Sequence, residues 1–336
     1  MDLKEFLKEW RDSSPTLMVH TSGSTGVPRP MMVEKKRMLS SARLTCDYLG
    51  LQAGDTALLC MSLDYIAAKM VVVRAIERHL RIIETAPTGH PLAKLEDSPD
   101  FAAMVPMQVY NSLNNEKERA VFWGIRHVII GGGAIDDELE TALRDHPGKI
   151  YSSYGMTETL SHIALRRING PDADEWYTPL QNVQLDQTSE GCLIIYAPEV
   201  NPRRLITNDI IQFAPDSHRF KVIGRKDNVI VSGGIKIHIE DIEKALYGKL
   251  RLPFLISKRP DKKFGEAVVM LTEETDCSYV RHVCEEFLPK YWQPKDYFHI
   301  AKIPLTETGK PRRKEAEKIA ISKHMLDKGS HNKDRL

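Results

Sequence analysis

Short apolar runs alternate with longer helical patterns through the first two thirds of the chain. A short apolar run predicts a strand, and apolar positions three or four residues apart predict a helix with one buried face. Near residues 136–146, for example, Ile135, Leu139 and Leu143 share one helix face. Strands separated by helices predict a layered α/β domain with a largely parallel core sheet. The predicted strands are 56–61, 101–105, 127–130 and 149–153, and the predicted helices are 34–49, 65–78 and 136–146.

From Leu180 onward the pattern changes to short alternating strands and turns. The fold class predicted is α/β, with a large layered N-terminal domain and a smaller α+β C-terminal domain. The C-terminal elements predicted are strands 192–196, 210–213, 220–223 and 267–271, a helix with apolar positions Ile242, Ala245, Leu246 and Leu250, a helix over about 278–289 and a closing loop 303–313. The predicted divisions are an N-terminal domain 1–224, a hinge 225–227, a C-terminal domain 228–322 and a disordered tail 323–336.

Composition narrows the functional classes. The 336 residues are 42% hydrophobic and 28% charged, as in ordinary globular proteins. A formal net charge of +1 gives no general attraction to nucleic acid or to anionic membranes. No apolar run approaches the ~18 residues of a membrane span, and the charged N-terminal stretch does not resemble a secretory signal. Dispersed cysteines without metal-ligand spacing fit reduced thiols, so the sequence predicts a soluble, cytoplasmic protein that acts on small molecules.

The sharpest local motif is HTSGSTGVPR, residues 20–29, directly after an apolar run. Its glycines let the backbone approach an anion, and its hydroxyl and backbone N–H groups can surround phosphate oxygens. Arg29 adds a cation at the end of the motif. A surface turn has a similar composition, and the spacing differs from that of a Walker A loop. This motif alone therefore leaves both interpretations open.

A second motif, YSSYGMTET over 151–159, stands where a strand is predicted to end, which is where α/β sheets bind ligands. The ring of Tyr154 could stack on a base, and Thr157 with Glu158 could hold a magnesium–phosphate pair. Threonine and glutamate also favour helix starts, so a capped helix is the alternative.

Two further motifs lie in the last third of the chain. In the first, Asp209 and Arg225 flank a predicted strand pair and could grip the two ribose hydroxyls of a nucleotide. In the second, PLTETGKPRR over 304–313, a lysine follows a glycine near the chain end. Each feature is commonplace as a turn or as a solvated surface charge. The order of all four motifs is more informative than any one of them.

That ordered set, spanning residues 20–313, resembles the adenylate-forming superfamily of acyl-CoA synthetases, adenylation domains and luciferases. The resemblance implies an acid–thiol ligase that joins a carboxylate to AMP and passes the acyl group to CoA, with ATP and CoA as co-substrates and Mg²⁺ as cofactor. It implies a mobile C-terminal domain that turns at Asp227. The implied site residues are a phosphate loop of Thr21, Ser22, Gly23, Ser24, Thr25, Gly26 and Arg29, an adenine and ribose set of Gly131, Gly132, Gly133, Ala134, Tyr154, Asp209 and Arg225, catalytic Thr157 and Lys310, and Glu158, catalytic and holding Mg²⁺.

Within the superfamily, the chain is similar to the compact o-succinylbenzoate–CoA ligases of menaquinone biosynthesis, on residues 62–75, 105–108 and 154–159. A second carboxylate on the acid would need a cation in the acyl pocket. The candidates are Lys69 and Arg74, for which an exposed helix flank with snorkelling stems is the alternative. Other residues implied are Ser161 and His162 for the acid, and Ser232, Gly233, Gly234 and Lys236 for CoA.

Two departures from the superfamily pattern stand out. Arg29 replaces the usual lysine, and far fewer residues than usual precede the phosphate loop. We therefore expect either a homodimer partner that supplies the missing wall of the site or a more open active site. Another aryl or short acyl acid is the alternative substrate, and a catalytically silent nucleotide-binding regulatory protein is the alternative of another class. No nucleic-acid or membrane partner is predicted.

Overall fold

The structure, a computed structural model, describes residues 1–20, 30–215, 218–306 and 311–333. It begins with helix α1 (Leu3–Arg11), which a capping box fixes: Asp2 and Glu5 each accept a hydrogen bond from the other's backbone N–H. An antiparallel pair follows, β1 (Thr16–His20) and β2 (Pro30–Glu34). Its two strands flank residues 21–29, which lie outside the described part of the chain. Helix α2 (Lys35–Leu49) comes next.

The main body of the fold is a mixed seven-stranded sheet formed by residues 56–179. Its strand order is β4-β3-β5-β6-β7-β8-β9, and β3 to β7 run parallel, whereas β8 and β9 are antiparallel additions. The predicted α/β class with a largely parallel core sheet is confirmed. The strands are β3 (Thr56–Leu59), β4 (Arg81–Glu84), β5 (Phe101–Met104), β6 (His127–Ile130), β7 (Lys149–Gly155), β8 (His162–Arg167) and β9 (Thr178–Pro179).

Helices cover both faces of this sheet, which explains why its strands read as nearly continuous apolar runs. Ala57 and Leu59 face one core with α2 and α3, while Leu58 faces a second core with α4, α5 and α6. The remaining helices of this region are α3 (Ile66–Arg78), α4 (Pro106–Leu113), α5 (Glu116–Trp123) and α6 (Asp137–Leu143).

An antiparallel meander follows the central sheet along the chain. Its strands are β10 (Gln184–Gln187), β11 (Cys192–Tyr196), β12 (Leu205–Phe213) and β13 (Phe220–Arg225), paired in that order. Ile210 and Ile211 pair with Gly224 and Val222, so Ile223 is the extra residue of a bulge in β13. Just before this shift in register, Asp209 stands directly opposite Arg225. The register of one strand pair therefore brings two predicted site residues together.

The last part of the chain forms its own sheet, in the order β15-β14-β17-β16, with β18 parallel to β17. Its apolar residues make clusters separate from those of the central sheet. The division at 225–227 falls between β13 and β14, and its role as a hinge between two domains stays a prediction. The elements are β14 (Val229–Ser232), β15 (Ile235–His238), α7 (Ile239–Leu246), β16 (Phe254–Asp261), β17 (Gly265–Thr272), α8 (Cys277–Phe287), β18 (Asp296–His299) and α9 (Arg313–Lys333).

The described residues of the predicted closing loop, 303–306 and 311–312, form no helix, but helix α9 continues to Lys333, past residue 323, where a disordered tail is predicted. Ala316 and Ala320 are fully buried against the C-terminal sheet, and His324 Nδ1 lies 3.4 Å from a carboxylate oxygen of Asp296. These contacts stabilise the helix, although its polar composition alone is typical of a disordered tail. Helix α7 is shorter than its predicted stripe, because Gly248 with φ +68° follows its end and leaves Leu250 outside.

Candidate active site

A cavity of about 200 Å³ opens at the carboxyl ends of the parallel strands. The ends of β5, β6 and β7 form one wall, and α3 with the turn after β7 forms the other. This edge is where open α/β sheets bind ligands, because the strand ends leave a crevice and backbone groups there are free. Its lining residues are Met61, Ile66, Ala67, Arg74, Ala103, Met104, Val105, Ile129, Gly131, Gly132, Ser153, Gly155, Met156, Thr157, Leu160, Ser161 and His162.

The turn after β7 is fixed by one threonine side chain. Thr159 Oγ1 accepts from the N–H of Met156 at 2.9 Å and lies 2.9 and 2.7 Å from the carbonyl oxygens of Met156 and Ser161. Leu160 follows with φ +65°, a conformation that few residues other than glycine adopt and that the surrounding structure must stabilise. The segment is a short 3₁₀-helix, Thr157–Thr159, so it both starts a helical turn and lines the cavity through Thr157.

The glycines after β6 allow a close approach of backbone to the cavity. A Cβ at Gly131 would lie 2.4 Å from Ser153 Oγ, so no larger residue fits there without displacing Ser153. Gly132 has φ +81°, which favours glycine. Gly131 and Gly132 line the cavity, whereas Gly133 packs against Pro106 and Ala134 continues the loop toward α6. The structure thus brings part of the predicted adenine segment and Thr157 to one cavity.

The predicted ribose pair forms an ion pair. Arg225 Nη1 lies 3.1 Å from Asp209 Oδ1, and the hydroxyl of Tyr154 donates to Asp209 Oδ2 at 2.6 Å. Burial, reinforced by the neighbouring Asp209 carboxylate, raises the pKa of Tyr154 above its usual range, so the hydroxyl remains a donor at neutral pH. The Tyr154 ring packs edge-on against Phe220, with centroids 5.1 Å apart. The three predicted residues Tyr154, Asp209 and Arg225 therefore form one hydrogen-bonded group.

This group extends to Asp227, the predicted hinge residue. Arg225 Nη2 lies 3.3 Å from Asp227 Oδ2, and Asn208 Nδ2 donates to the same oxygen at 3.2 Å. One arginine therefore contacts both the ribose carboxylate and the hinge carboxylate. The next residue, Asn228, donates to Glu240 Oε1 at 2.5 Å, which connects the segment to the start of α7.

The two predicted acid-binding cations lie on different sides of α3. Arg74 lines the cavity and is only 2% exposed, and its Nη2 donates to Ser161 Oγ at 2.5 Å. Among the described residues, its Nε has no hydrogen-bond partner. Burial lowers the pKa of Arg74 to about 10, which leaves the guanidinium charged at neutral pH. Arg74 is therefore a buried cation at the cavity wall, and the exposed-flank interpretation is wrong for it.

Lys69 does not line the cavity. Its Nζ lies 3.3 Å from Met1 Sδ and 5.3 Å from the centroid of the Phe6 ring, so it packs under α1. It is 4% exposed, and burial lowers its pKa. The exposed-flank interpretation is wrong for this residue too, and so is its grouping with Arg74. Ser161 and His162 do reach the cavity, and burial together with the Arg74 charge lowers the pKa of His162, which keeps the imidazole neutral.

The predicted CoA-binding residues form the β14–β15 turn. Gly233 and Gly234 have φ +59° and +83°, which fits a two-residue hairpin of the kind that requires glycine. Gly233 N–H donates to the Phe264 carbonyl at 2.8 Å. Lys236 is exposed. Of the described residues that line the cavity, none comes from this turn.

Two predicted groups lie outside the described residues. They are Lys310 and the phosphate loop, which comprises Thr21, Ser22, Gly23, Ser24, Thr25, Gly26 and Arg29. Their roles stay predictions.

Comparisons with known proteins agree with this geometry. A family model described as "AMP-binding enzyme" matches residues 4–186, more than half of the chain. The chain belongs to the AMP-binding enzyme family. The prediction of an adenylate-forming enzyme is thereby confirmed.

Individual members of the AMP-binding family extend the comparison. The chain is 33% identical to a solved acyl-CoA synthetase (AMP-forming)/AMP-acid ligase II-like protein from Dyadobacter fermentans DSM 18053, with a TM-score of 0.64, covering 93% of this chain and 91% of that one. It is 24% identical to a 2-succinylbenzoate–CoA ligase of Listeria monocytogenes serotype 4b (strain F2365), covering 91% of this chain and 70% of that one. An o-succinylbenzoate coenzyme A synthetase from Bacillus subtilis, solved in complex with ATP and magnesium ion, has the same fold: TM-score 0.73, 19% identity, 89% and 69% coverage.

Two contacts in and around this cavity involve residues that are absent from the sequence-based set. Thr45, in the middle of α2, lies 3.0 Å from His162 Nε2 through its Oγ1. Asn201 Nδ2 donates to the backbone carbonyl of Glu158 at 2.9 Å. Neither residue stands in a motif: a threonine inside an amphipathic helix and an asparagine in a polar turn have no local signal that marks them. Only the packing of α2 and of the turn after β11 reveals them.

The described residues contain no group of three or more histidine, cysteine, aspartate or glutamate side chains arranged to hold a metal ion. Glu158, the predicted magnesium ligand, is half-buried in the 3₁₀ turn and is not among the described residues that line the cavity, so its role stays a prediction. Across the same residues, none of the helices has both the length and the apolar character needed to traverse a membrane.

Proposed function

We propose that this AMP-binding enzyme is a CoA ligase for 2-succinylbenzoate, also called o-succinylbenzoate, acting through an acyl-adenylate. The observation that carries the proposal is Arg74, a buried cation on the wall of a mainly apolar cavity. An uncompensated charge in such a place costs free energy, and an anionic ligand offsets that cost. 2-Succinylbenzoate offers an aromatic ring for the apolar wall and two carboxylates, one to react and one to pair with Arg74. The names of the relatives support the same substrate.

The first half-reaction needs charge neutralisation more than covalent help. The acid carboxylate must approach the α-phosphate of ATP, which carries the same sign of charge, so positioning supplies most of the catalysis. Thr157, held by the Thr159 turn, would contact the α-phosphate from the cavity wall. Lys310 would bridge the carboxylate and the phosphate. Magnesium, held by Glu158 when bound, would supply further charge stabilisation.

The nucleotide end would be held by the group around Asp209. The two ribose hydroxyls could take over the contact that the Asp209 carboxylate and the Arg225 guanidinium make with each other. A carboxylate is a good acceptor for a hydroxyl proton, and a guanidinium is a good donor to a hydroxyl oxygen. Tyr154 keeps Asp209 oriented by donating to its second oxygen. Gly131 and Gly132 line the cavity, and the adenine ring would lie beside their backbone.

The second half-reaction would bring CoA to the adenylate. The thiolate attacks the acyl carbon and AMP leaves. This step needs different residues around the reacting atoms from those of the first step. A rotation at Asp227 would deliver the β14–β15 turn, with Ser232, Gly233, Gly234 and Lys236, to the cavity. The cytoplasmic location and the homodimer remain predictions attached to this proposal.

The test is turnover of a panel of acids with MgATP and CoA, following AMP release and thioester together. The panel contains 2-succinylbenzoate and 3-benzoylpropionate, which lacks only the ring carboxylate. We expect selective turnover of 2-succinylbenzoate by the wild type. Preference for 3-benzoylpropionate, or for an unrelated acid, would overturn the substrate while leaving the adenylate chemistry in place. ATP binding without turnover of any acid would overturn the ligase itself.

A further inference from the structure

We infer that Thr45 is a specificity-determining positioning residue, which acts with His162 and Ser161 as a buried relay that aims Arg74 at the second carboxylate of the acid. The inference rests on the proposed function and adds a residue that does not itself touch substrate. It starts from a continuous line of contacts that runs from α2, through the start of β8, to α3.

The relay is closed to solvent over most of its length. Thr45 Oγ1 lies 3.0 Å from His162 Nε2, Ser161 Oγ lies 3.3 Å from His162 Nδ1, and Arg74 Nη2 lies 2.5 Å from Ser161 Oγ. Thr45, His162 and Arg74 are all buried. Buried polar groups that are hydrogen-bonded to one another have few alternative partners, so the direction of each bond is constrained.

The donor and the acceptor of each hydrogen bond in the relay can be assigned by starting from Thr45 on α2. Thr45 Oγ1 also lies 3.2 Å from the backbone carbonyl of Ser41, which can only accept, so the hydroxyl donates there. It must then accept from His162, which places the imidazole proton on Nε2. His162 Nδ1 is therefore the acceptor and receives the hydroxyl proton of Ser161. A lone pair of Ser161 Oγ is left to face Arg74, whose N–H groups can only donate.

The relay therefore fixes the orientation of the Arg74 guanidinium but does not neutralise its positive charge. Burial and the adjacent guanidinium keep His162 neutral, so the relay holds Arg74 by dipoles alone. One donor of the guanidinium is engaged by Ser161, and Nε has no hydrogen-bond partner among the described residues. The charge and the remaining donors are thus directed to an anion in the cavity. With the other imidazole tautomer, Ser161 would instead accept from Nδ1–H, and its own proton would lose Nδ1 as an acceptor and need another one.

The test replaces Thr45 by an isostere without a hydroxyl. Thr45→Val removes the acceptor for His162 Nε2–H, which frees the imidazole to change tautomer. We expect the KM for 2-succinylbenzoate to rise about tenfold, with kcat nearly unchanged. The KM for 3-benzoylpropionate, which has no second carboxylate, should stay the same. Thr45→Ser keeps the hydroxyl and should restore the KM, which separates the relay from packing in α2.

The tautomer itself gives a second readout. Nitrogen-15 NMR of the imidazole should show His162 protonated at Nε2 in the wild type and in Thr45→Ser, but not uniformly so in Thr45→Val. An equal rise in KM for both acids would indicate a structural defect and overturn the inference, as would an unchanged KM for 2-succinylbenzoate. If the wild type used neither acid, the proposed function would fail, and the nitrogen shifts would still decide whether the relay exists: protonation at Nδ1 in the wild type would overturn it.

Discussion

The proposed nucleotide end and the proposed acyl end of the site each contain an arginine, and the surroundings of the two differ. Arg225 is partly exposed and contacts two carboxylates, Asp209 and Asp227. Arg74 is buried, and its Nη2 donates to a neutral hydroxyl, that of Ser161. A compensated, hydrated cation costs little to keep, whereas a buried unpaired charge costs on the order of several kcal/mol. Under the proposed function, the uncompensated charge of Arg74 is available to select an anionic acid, whereas Arg225 is already paired with carboxylates before the neutral sugar binds.

The largest loss of activity is expected from a change at Lys310, which is predicted to lie between the two ends, at the reacting carboxylate and phosphate. Lys310→Ala should lower the rate of adenylate formation by about a hundredfold or more, because the developing charge on the phosphate loses its cation. Thioester formation from preformed acyl-adenylate should be spared, since that step does not need the same contact. The measurements are acid-dependent ATP–pyrophosphate exchange and CoA acylation from synthetic adenylate. Equal losses in both half-reactions would contradict the role.

At the acyl end, Arg74→Met should weaken binding and strengthen the fold at once. Losing a charge-assisted contact should raise the KM for 2-succinylbenzoate by about ten- to a hundredfold. Removing the uncompensated buried charge should raise the free energy of unfolding by about 1–3 kcal/mol. Denaturant titration and steady-state kinetics on one preparation check both. A variant that is less stable than the wild type would show that Arg74 is compensated in the free enzyme.

At the nucleotide end, Asp209→Asn should behave differently. It keeps an acceptor for ribose and for Tyr154 but removes the charge, so we expect the KM for ATP to rise about tenfold. The ratio of KM values for 2-succinylbenzoate and 3-benzoylpropionate should not change, because the acyl end is untouched. Arg225 retains Asp227 as a partner, so the free energy of unfolding should change little. A change in acid preference would show that the two ends are coupled.

These residues also show where sequence reasoning succeeds and where it stops. Strand β6 matches its predicted bounds because an all-apolar run in a parallel sheet is buried on both faces. The family resemblance implies that Asp209 and Arg225 act together at a ribose, and the cross-strand register explains why the two side chains meet. Helix α9 was not foreseen, since the two alanines that anchor it leave no strong stripe. Thr45 could not be found, because its partner lies far away along the chain in β8.

Lys69 and Arg74 illustrate a further limit, one that helix geometry explains. They are five residues apart on one helix, which separates their side chains by about 140° around its axis. Both could not face one pocket, although both look alike as cations in an apolar run. The structure assigns Arg74 to the cavity and Lys69 to the packing under α1. Lys69 is therefore the matched control for Arg74.

Lys69→Met should have the smallest effect on activity, with the KM for 2-succinylbenzoate unchanged, and a distinct effect on the pH dependence of stability. Burial lowers the pKa of Lys69 in the folded state, so between that value and the ordinary value of about 10.4 the unfolded chain binds more protons at this residue. Lys69 therefore makes stability rise with pH across that window, and below it the charged side chain is a constant cost. Urea titrations at several alkaline pH values should show a shallower rise in Lys69→Met than in the wild type. Identical slopes would mean that Glu9 and Asp64 fully offset the burial of this charge.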